Sequence, residues 1–231
     1  SYVFIYAKDA DNIAISGEGA IDGNAYAFVK QVSLYYVTDD FYPRPMLVYV
    51  EYYNQISFKD VIMRNAPFWT LHPAGCDDVL ISGLRILNDL NVANSDGIDP
   101  EHSTNVRFSN ITCDSENGVF LSGSPGNHIE DILFENVRVM VRSKSKWPKG
   151  MYDLRPGYGQ KIEEIKTSGF YMRRADDVVL RNCQVKFVGE ERNDFSHALF
   201  AQDCRDMMLE NFRGKAARSS LEDVVIRQDE L

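Results

Sequence analysis

The chain of 231 residues carries 25 Lys and Arg against 34 Asp and Glu, a formal net charge of −9. That excludes a general nucleic-acid or membrane-surface binder, which would present a cationic footprint. With 44% hydrophobic and 26% charged residues, the composition is globular rather than disordered or collagen-like. No apolar run reaches the roughly 18–20 residues of a membrane span. The start Ser1-Tyr2-Val3 has neither the basic residues nor the cleavage site of a secretory leader, as expected of a processed or trimmed chain.

Along the chain one short pattern recurs: Asn, Asp or Gln, then an apolar residue, any residue and a second apolar residue, closed two places later by Asn, Asp or Gly. It reads Asn12-Ile13-Ala14-Ile15-Ser16-Gly17, Gln55-Ile56-Ser57-Phe58-Lys59-Asp60, Asp78-Val79-Leu80-Ile81-Ser82-Gly83 and Asn105-Val106-Arg107-Phe108-Ser109-Asn110. It continues as Asp131-Ile132-Leu133-Phe134-Glu135-Asn136, Asp177-Val178-Val179-Leu180-Arg181-Asn182, Asp206-Met207-Met208-Leu209-Glu210-Asn211 and a clipped Asp223-Val224-Val225-Ile226. The anchors are 43, 23, 27, 26, 46, 29 and 17 residues apart. The two long gaps therefore each hold a second coil or an inserted loop, at 30–45 and 138–170.

Each unit is a period-2 strand rich in Val, Ile and Phe, and a period in the twenties is too short for helical-pair repeats. Leucine-rich repeats are excluded by the absence of their Leu-x-x-Leu-x-Leu framework. The pattern predicts an all-β fold, a right-handed parallel β-helix of the pectate-lyase-like solenoid kind, spanning 1–231 as a single domain. Stacking would bury Val79, Val106, Ile132 and Val178 at equivalent positions, turn Arg107 and Ser109 outward, and let turn Asn side chains ladder. Residues 161–166 are read as one short helical turn at most.

Cys76, Cys113, Cys183 and Cys204 lack a C-x-x-C spacing and are too sparse for a disulfide scaffold, so free, buried thiols are expected. His72, His102, His128 and His197 fall on four different coils, which argues against a histidine metal site. No metal and no cofactor is expected, with a calcium site of Asp96, Asp99 and Glu101 as the carboxylate alternative.

The stretch Asn94-Ser95-Asp96-Gly97-Ile98-Asp99-Pro100-Glu101-His102 concentrates the chemistry. On a strand Asn94 and Asp96 share a face while Ser95 turns away; Gly97 allows a bend and Pro100 ends the strand. Glycosidic hydrolysis needs one carboxylate to activate water and a second, protonated one to assist the leaving oxygen, and Asp96 and Asp99 offer one each. The same residues also suit a polar turn, through Asp-Gly and Asp-Pro.

These residues resemble the Asn-Thr-Asp-Gly motif of glycoside hydrolase family 28, the polygalacturonases and rhamnogalacturonan hydrolases, which are right-handed parallel β-helices. Gly17-Glu18-Gly19-Ala20-Ile21-Asp22-Gly23 resembles the family's early Gly-x-Gly-x-Ile-Asp-Gly, and Asn65-Ala66-Pro67-Phe68-Trp69-Thr70-Leu71-His72 the coil before the catalytic one. Ser124–Asp131 and Gly169–Arg174 are similar to later coils. The resemblance implies inverting hydrolysis of pectic, galacturonate-containing polysaccharide, with Asp96 as the water-activating base, Asn94 as its groove neighbour and an extracellular or periplasmic setting. The family's Asp-Asp, Gly-His-Gly and Arg-x-Lys motifs are absent. In their place stand Asn117-Gly118, or Phe120 and Ser122, depending on the alignment, and Glu116 is left as a substitute acid.

Remaining candidates are substrate-binding: His102 beside the motif, and Arg142, Lys144 and Trp147 in a basic stretch that also holds Arg138, Lys146 and Lys149. Cations suit an anionic sugar acid and Trp147 suits a ring face; the plain alternative is a solvated loop. Tyr35, Tyr36, Tyr42, Tyr49, Tyr52 and Tyr53 either line a saccharide groove or pack. Polysaccharide is the expected partner, with no nucleic acid and no membrane. A catalytically inactive β-helix that binds polysaccharide or serves as a structural module is the alternative, and a lyase on the same architecture is a third reading.

Overall fold

A computed structural model describes residues 2–9, 12–32, 35–37, 44–153, 162–189 and 193–228, with main chain only at 32, 35–37 and 153. Among these residues there is no α-helix; a single 3-10 turn, Ala25–Ala27, interrupts the strands. By internal packing the chain forms two compact units, residues 1–111 with 145–147, and 112–144 with 148–231.

The first unit winds its chain around three parallel faces. One contains Val3–Lys8, Met46–Glu51 and Leu71–Ala74; the next Ile13–Ser16, Asn54–Lys59, Asp77–Ser82 and Thr104–Ser109; the third Ala20–Asp22, Ile62–Arg64 and Arg85–Leu87. The second unit repeats the plan. Its faces are Thr112–Ser115, Arg138–Val141, Gln184–Phe187 and Arg213–Gly214; Val119–Ser122, Phe170–Arg173, Leu199–Gln202 and Val224–Arg227; and Ile129–Glu135, Ala175–Arg181 and Met208–Glu210. Both units are built as right-handed parallel β-helix, the sense that parallel crossovers adopt.

The anchored strands stack in register: Ile13 beside Ile56, Val79 and Val106, and Ile15 beside Phe58, Ile81 and Phe108. In the second unit Ile132 lies beside Val178 and Phe134 beside Leu180. Val79, Val106 and Val178 are fully buried and Ile132 nearly so, while Arg107 is exposed. Burial of these columns is the main stabilising contribution, at roughly 25 cal/mol per Å² of apolar surface removed from water.

Backbone conformation explains the polar brackets. Asn12, Gln55, Asp78, Asn105, Asp131, Asp177 and Asp206 all have φ between 48° and 60°, and five residues later Gly17, Asp60, Gly83, Asn110, Asn136, Asn182 and Asn211 again have positive φ. A side chain at positive φ clashes with its own carbonyl, least for Gly and for short polar residues that bond locally. Each strand is thus turned at both ends by a left-handed residue, which fixes strand length. Laddering occurs at some turns: Asn211 Nδ2 donates to Asn182 Oδ1 at 2.8 Å, and Asn105 Nδ2 to Asp78 Oδ1 at 3.4 Å. Asn182→Val should cost about 1–2 kcal/mol, or about 2–4 °C of Tm per kcal/mol, whereas Asn182→Gly should cost less. A denaturant titration of both variants checks the order.

Both long gaps are insertions. Ile13 pairs directly with Ile56, and Ile132 with Val178, so no coil lies between them. What fills them includes antiparallel pairs, Lys30–Val32 with Tyr35–Val37 and Tyr152–Asp153 with Ile162–Glu163. The second pair replaces the helical turn expected at 161–166, of which Lys161 lies outside the described residues. The clipped repeat is also corrected: Val224–Arg227 pairs with Leu199–Gln202 on another face, because 17 residues do not complete a coil.

All four thiols are free, and Cys76, Cys183 and Cys204 are buried. Each of these three donates its S–H to the carbonyl two residues back, at 3.3–3.5 Å, so they pack turns. Cys113 is half-buried.

Candidate active site

Residues 96–101 form the next rung beside Leu71–Ala74. Thr70 N–H donates to the Asp96 carbonyl at 3.0 Å, Asp99 N–H to the Leu71 carbonyl at 2.9 Å and Glu101 N–H to the Pro73 carbonyl at 2.9 Å. Pro100 therefore sits inside the rung rather than ending it: the donors come from its two neighbours, and a missing N–H at 100 breaks nothing. A Cβ at Gly97 would meet only Ile86, at 3.6 Å, so the bend there does not require glycine.

Three side chains outside the predicted site residues hold this rung. Asn88 donates to Thr70 Oγ1 at 2.7 Å and to the Ser95 carbonyl at 2.9 Å, while its own carbonyl accepts from Ala66 N–H at 3.0 Å. Arg44, nearly buried over the Phe68 ring, donates to the Pro67 carbonyl at 3.1 Å, to the Ala93 carbonyl, and to Asn94 Oδ1 at 2.9 Å. Ser95 turns inward to the Val92 carbonyl at 3.0 Å. Exposure alternates over 94–96, with Asn94 and Asp96 exposed, but the segment is a turn and not the expected strand, Asn94 being left-handed at φ 56°, and the Asn94 side-chain carbonyl is committed to Arg44.

The third is His72. In register it lies between Tyr49 and the Asp99 position; its ring stacks on Tyr49 at 5.1 Å and meets Trp69 at 4.9 Å. Burial holds its pKa below the usual histidine range, against the opposing pull of Glu101, whose Oε2 is 3.4 Å from Nε2. His72 is thus a buried imidazole held between aromatic rings. His102 is exposed at φ 48°, with Nδ1 3.4 Å from Glu101 Oε1.

Asp96 and Asp99 differ sharply in surroundings. Asp96 is exposed. The Asp99 carboxyl has Oδ2 shut off from solvent without a hydrogen-bond partner, and burial, with the Asp96 charge adding to it, pushes its pKa well above the usual carboxylate range. Of two carboxyl groups three residues apart, Asp99 is thereby the one whose surroundings favour the acid form.

The other candidates fall elsewhere. Glu116, Arg142 and Lys144 belong to the second unit. Arg142 clamps Asp114 with two bonds of 2.8 and 2.6 Å, Lys144 Nζ reaches the same carboxylate at 3.1 Å, and these cations hold the Asp114 pKa down although burial pushes it up. Glu116 pairs with the nearly buried Lys149 at 3.3 Å and accepts from the Lys144 N–H. The basic stretch thus spends much of its charge on its own acids. Trp147, half-buried, belongs to the first unit, its N–H donating to Ser145 Oγ at 3.2 Å. Of the tyrosines, Tyr49 is half-buried, Tyr52 exposed and Tyr53 buried; Tyr42 and the side chains of Tyr35 and Tyr36 lie outside the described residues. Among the described residues no three His, Cys, Asp or Glu side chains are grouped to hold a metal ion, and no helix is long and apolar enough to cross a membrane. A concave surface of about 490 Å³ in the second unit, between Gln184–Phe187 and Phe212–Ala216, has no Asp or Glu in its lining and so offers no carboxylate pair.

The described strands form parallel β-helical coils, and one rung carries the Asn-x-Asp motif of Asn94 and Asp96. The sequence model of "Glycosyl hydrolases family 28" matches residues 2–120, and the chain belongs to that family. It is 30% identical over 105 residues to a probable polygalacturonase of Vitis vinifera, covering 45% of this chain and 21% of that one. To the probable exopolygalacturonase B of Aspergillus niger it is 23% identical over 246 aligned positions, covering 89% of this chain and 54% of the relative. The chain thus spans about a fifth and about half of the lengths of these relatives. A solved polygalacturonase from Erwinia carotovora ssp. carotovora superposes with a TM-score of 0.40 at 16% identity, over 92% of this chain and 71% of that one.

Proposed function

We propose that the chain hydrolyses glycosidic bonds in pectic, galacturonate-containing polysaccharide by single inverting displacement, with Asp96 activating the water and Asp99 protonating the leaving oxygen, in an extracellular or periplasmic setting. The observation that carries this reading is the contrast between the two carboxyls, Asp96 exposed and Asp99 with Oδ2 shut off from solvent, where burial and its neighbour's charge push its pKa above the usual carboxylate range. A general acid must hold its proton at the working pH. Asn94, His102, Arg142, Lys144 and Trp147 are proposed to contact substrate. A binding-only β-helix is the second reading, favoured by the engagement of Asp114, Glu116, Arg142, Lys144 and Lys149 with one another.

The test is pH dependence in two readouts. Turnover should fall as pH rises through the elevated Asp99 pKa, because the acid form is then lost. Stability follows the same sign: the unfolded carboxyl releases its proton near about 3.9, the folded one only at higher pH, so stability declines as pH climbs from about 4 until the folded group ionises. Each factor of ten in proton affinity is worth about 1.4 kcal/mol. Asp99→Asn should remove this slope, gaining on the wild type between pH 4 and pH 7. Parallel stability curves for the two proteins across that range would sink the assignment of Asp99 as the acid.

A further inference from the structure

The outer side of the first strand, Val3–Lys8, is aromatic and open to solvent: Tyr2 is 63% exposed, and Phe4 and Tyr6 are each 52% exposed. Tyr6 continues onto the next coils, its ring stacked on Tyr49 at 5.7 Å and 19°, and Tyr49 on His72 at 5.1 Å. In register the next position after His72 is Asp99. A continuous stack of rings therefore leads across three rungs toward the carboxylate rung, with Phe4 and the outer face of Tyr6 open at its end.

Charge around this row is negative. Residues 1–111 contain seven Lys and Arg against fourteen Asp and Glu, and Glu51, Asp96 and Glu101 all belong to these rungs. Two neighbouring cations are already engaged: Lys8 lies 3.2 Å from Glu51, and Arg44 is held by the Pro67 carbonyl and Asn94. Tyr49 also donates to Glu51 at 3.0 Å, and burial followed by that carboxylate pushes the Tyr49 pKa up to about 12, so it remains a neutral ring. Free uronates laid along this face would meet repulsion, whereas the C–H face of an uncharged pyranose suits the negative face of an aromatic ring.

We infer that the rings bound along Phe4 and Tyr6, at the open end of this stack, are uncharged pyranoses, neutral or methyl-esterified, held by stacking. This specificity rests on the hydrolase reading above and narrows its substrate to polymer whose carboxyl groups are masked at this end of the site. The experiment measures binding alone, on the Asp96→Asn variant, by calorimetry with highly methyl-esterified pectin and with de-esterified polygalacturonate. Esterified pectin should bind more tightly at low salt, and the gap should narrow as salt screens the repulsion. Tyr6→Ala and Phe4→Ala should each weaken pectin binding by roughly threefold to tenfold, while Tyr6→Phe, which keeps the ring and loses the hydroxyl bond to Glu51, should retain it. Tyr26→Ala, an exposed ring elsewhere, should leave it unchanged.

Tighter binding of polygalacturonate would overturn the inference, as would binding to neither polymer or indifference to both alanine variants. Concentration-dependent dimerisation that the alanine variants abolish would also overturn it, by assigning the row to a second copy of the chain. Discrimination in the expected direction without turnover by the wild type would uphold it as a binding specificity and remove the hydrolase reading instead.

Discussion

Asp96→Asn should reduce reducing-sugar release from pectic substrate by about a hundredfold to ten-thousandfold while leaving polymer binding in place. The substitution keeps the shape of the side chain and removes its basicity. Asp96 is exposed on the rung whose backbone is bonded to Thr70 and Leu71, so the loss should appear in kcat and not in the melting curve. A second effect separates the pair: with the Asp96 charge gone, one of the two causes that raise the Asp99 pKa disappears, and residual activity should lose its high-pH limb at lower pH. Glu116→Gln is the contrasting variant. Its carboxylate accepts the Lys144 N–H and pairs with Lys149, so its effect should fall on the 144–149 loop. Turnover that survives Asp96→Asn and fails in Glu116→Gln would transfer the catalytic role to the second unit.

What the sequence made legible follows from the range of the interactions involved. Strands bracketed by Asn, Asp and Gly could be read because the cause is local: a left-handed residue at each end must be one of few types, and Asp78 with Gly83 or Asp177 with Asn182 satisfy that requirement within five residues. Asp96 and Asp99 were legible for the same reason, lying in one short motif. The supports of the rung were not. Arg44 reaches Asn94 across 50 residues and Asn88 reaches Thr70 across 18, contacts made by coil stacking and visible only once the register is known. The pairing within the basic stretch was hidden for the same reason, since Arg142 finds Asp114 from 28 residues away, and a charge count along the chain cannot show which rungs bring opposite charges together. The clipped repeat at 223 has the right local pattern on another face, because periodicity identifies a strand but not which side of the coil it occupies.

Val106→Asp and Arg107→Ala should behave as opposites although they are neighbours on one strand. Val106 is fully buried beside Val79 in the inner column. An ionised Asp there is an unpaired charge in an apolar stack, so it would shift its pKa upward and take up a proton, and the neutral acid would still cost about 1–3 kcal/mol in lost hydrogen bonding. With the lost packing added, the total should reach several kcal/mol at neutral pH, enough to unfold a marginally stable domain. Because the folded state would bind the proton more tightly than the unfolded one, part of that loss should be recovered as pH falls toward about 4. Arg107 is exposed, its Nε bonded only at 3.3 Å to Asn105, and its truncation should stay within about 0.5 kcal/mol. Denaturant curves for the two variants at pH 7 and pH 4 test the alternation directly. A soluble Val106→Asp protein with an unchanged midpoint would place Val106 outside the core and contradict the stacked register on which the position of the Asp96 rung depends.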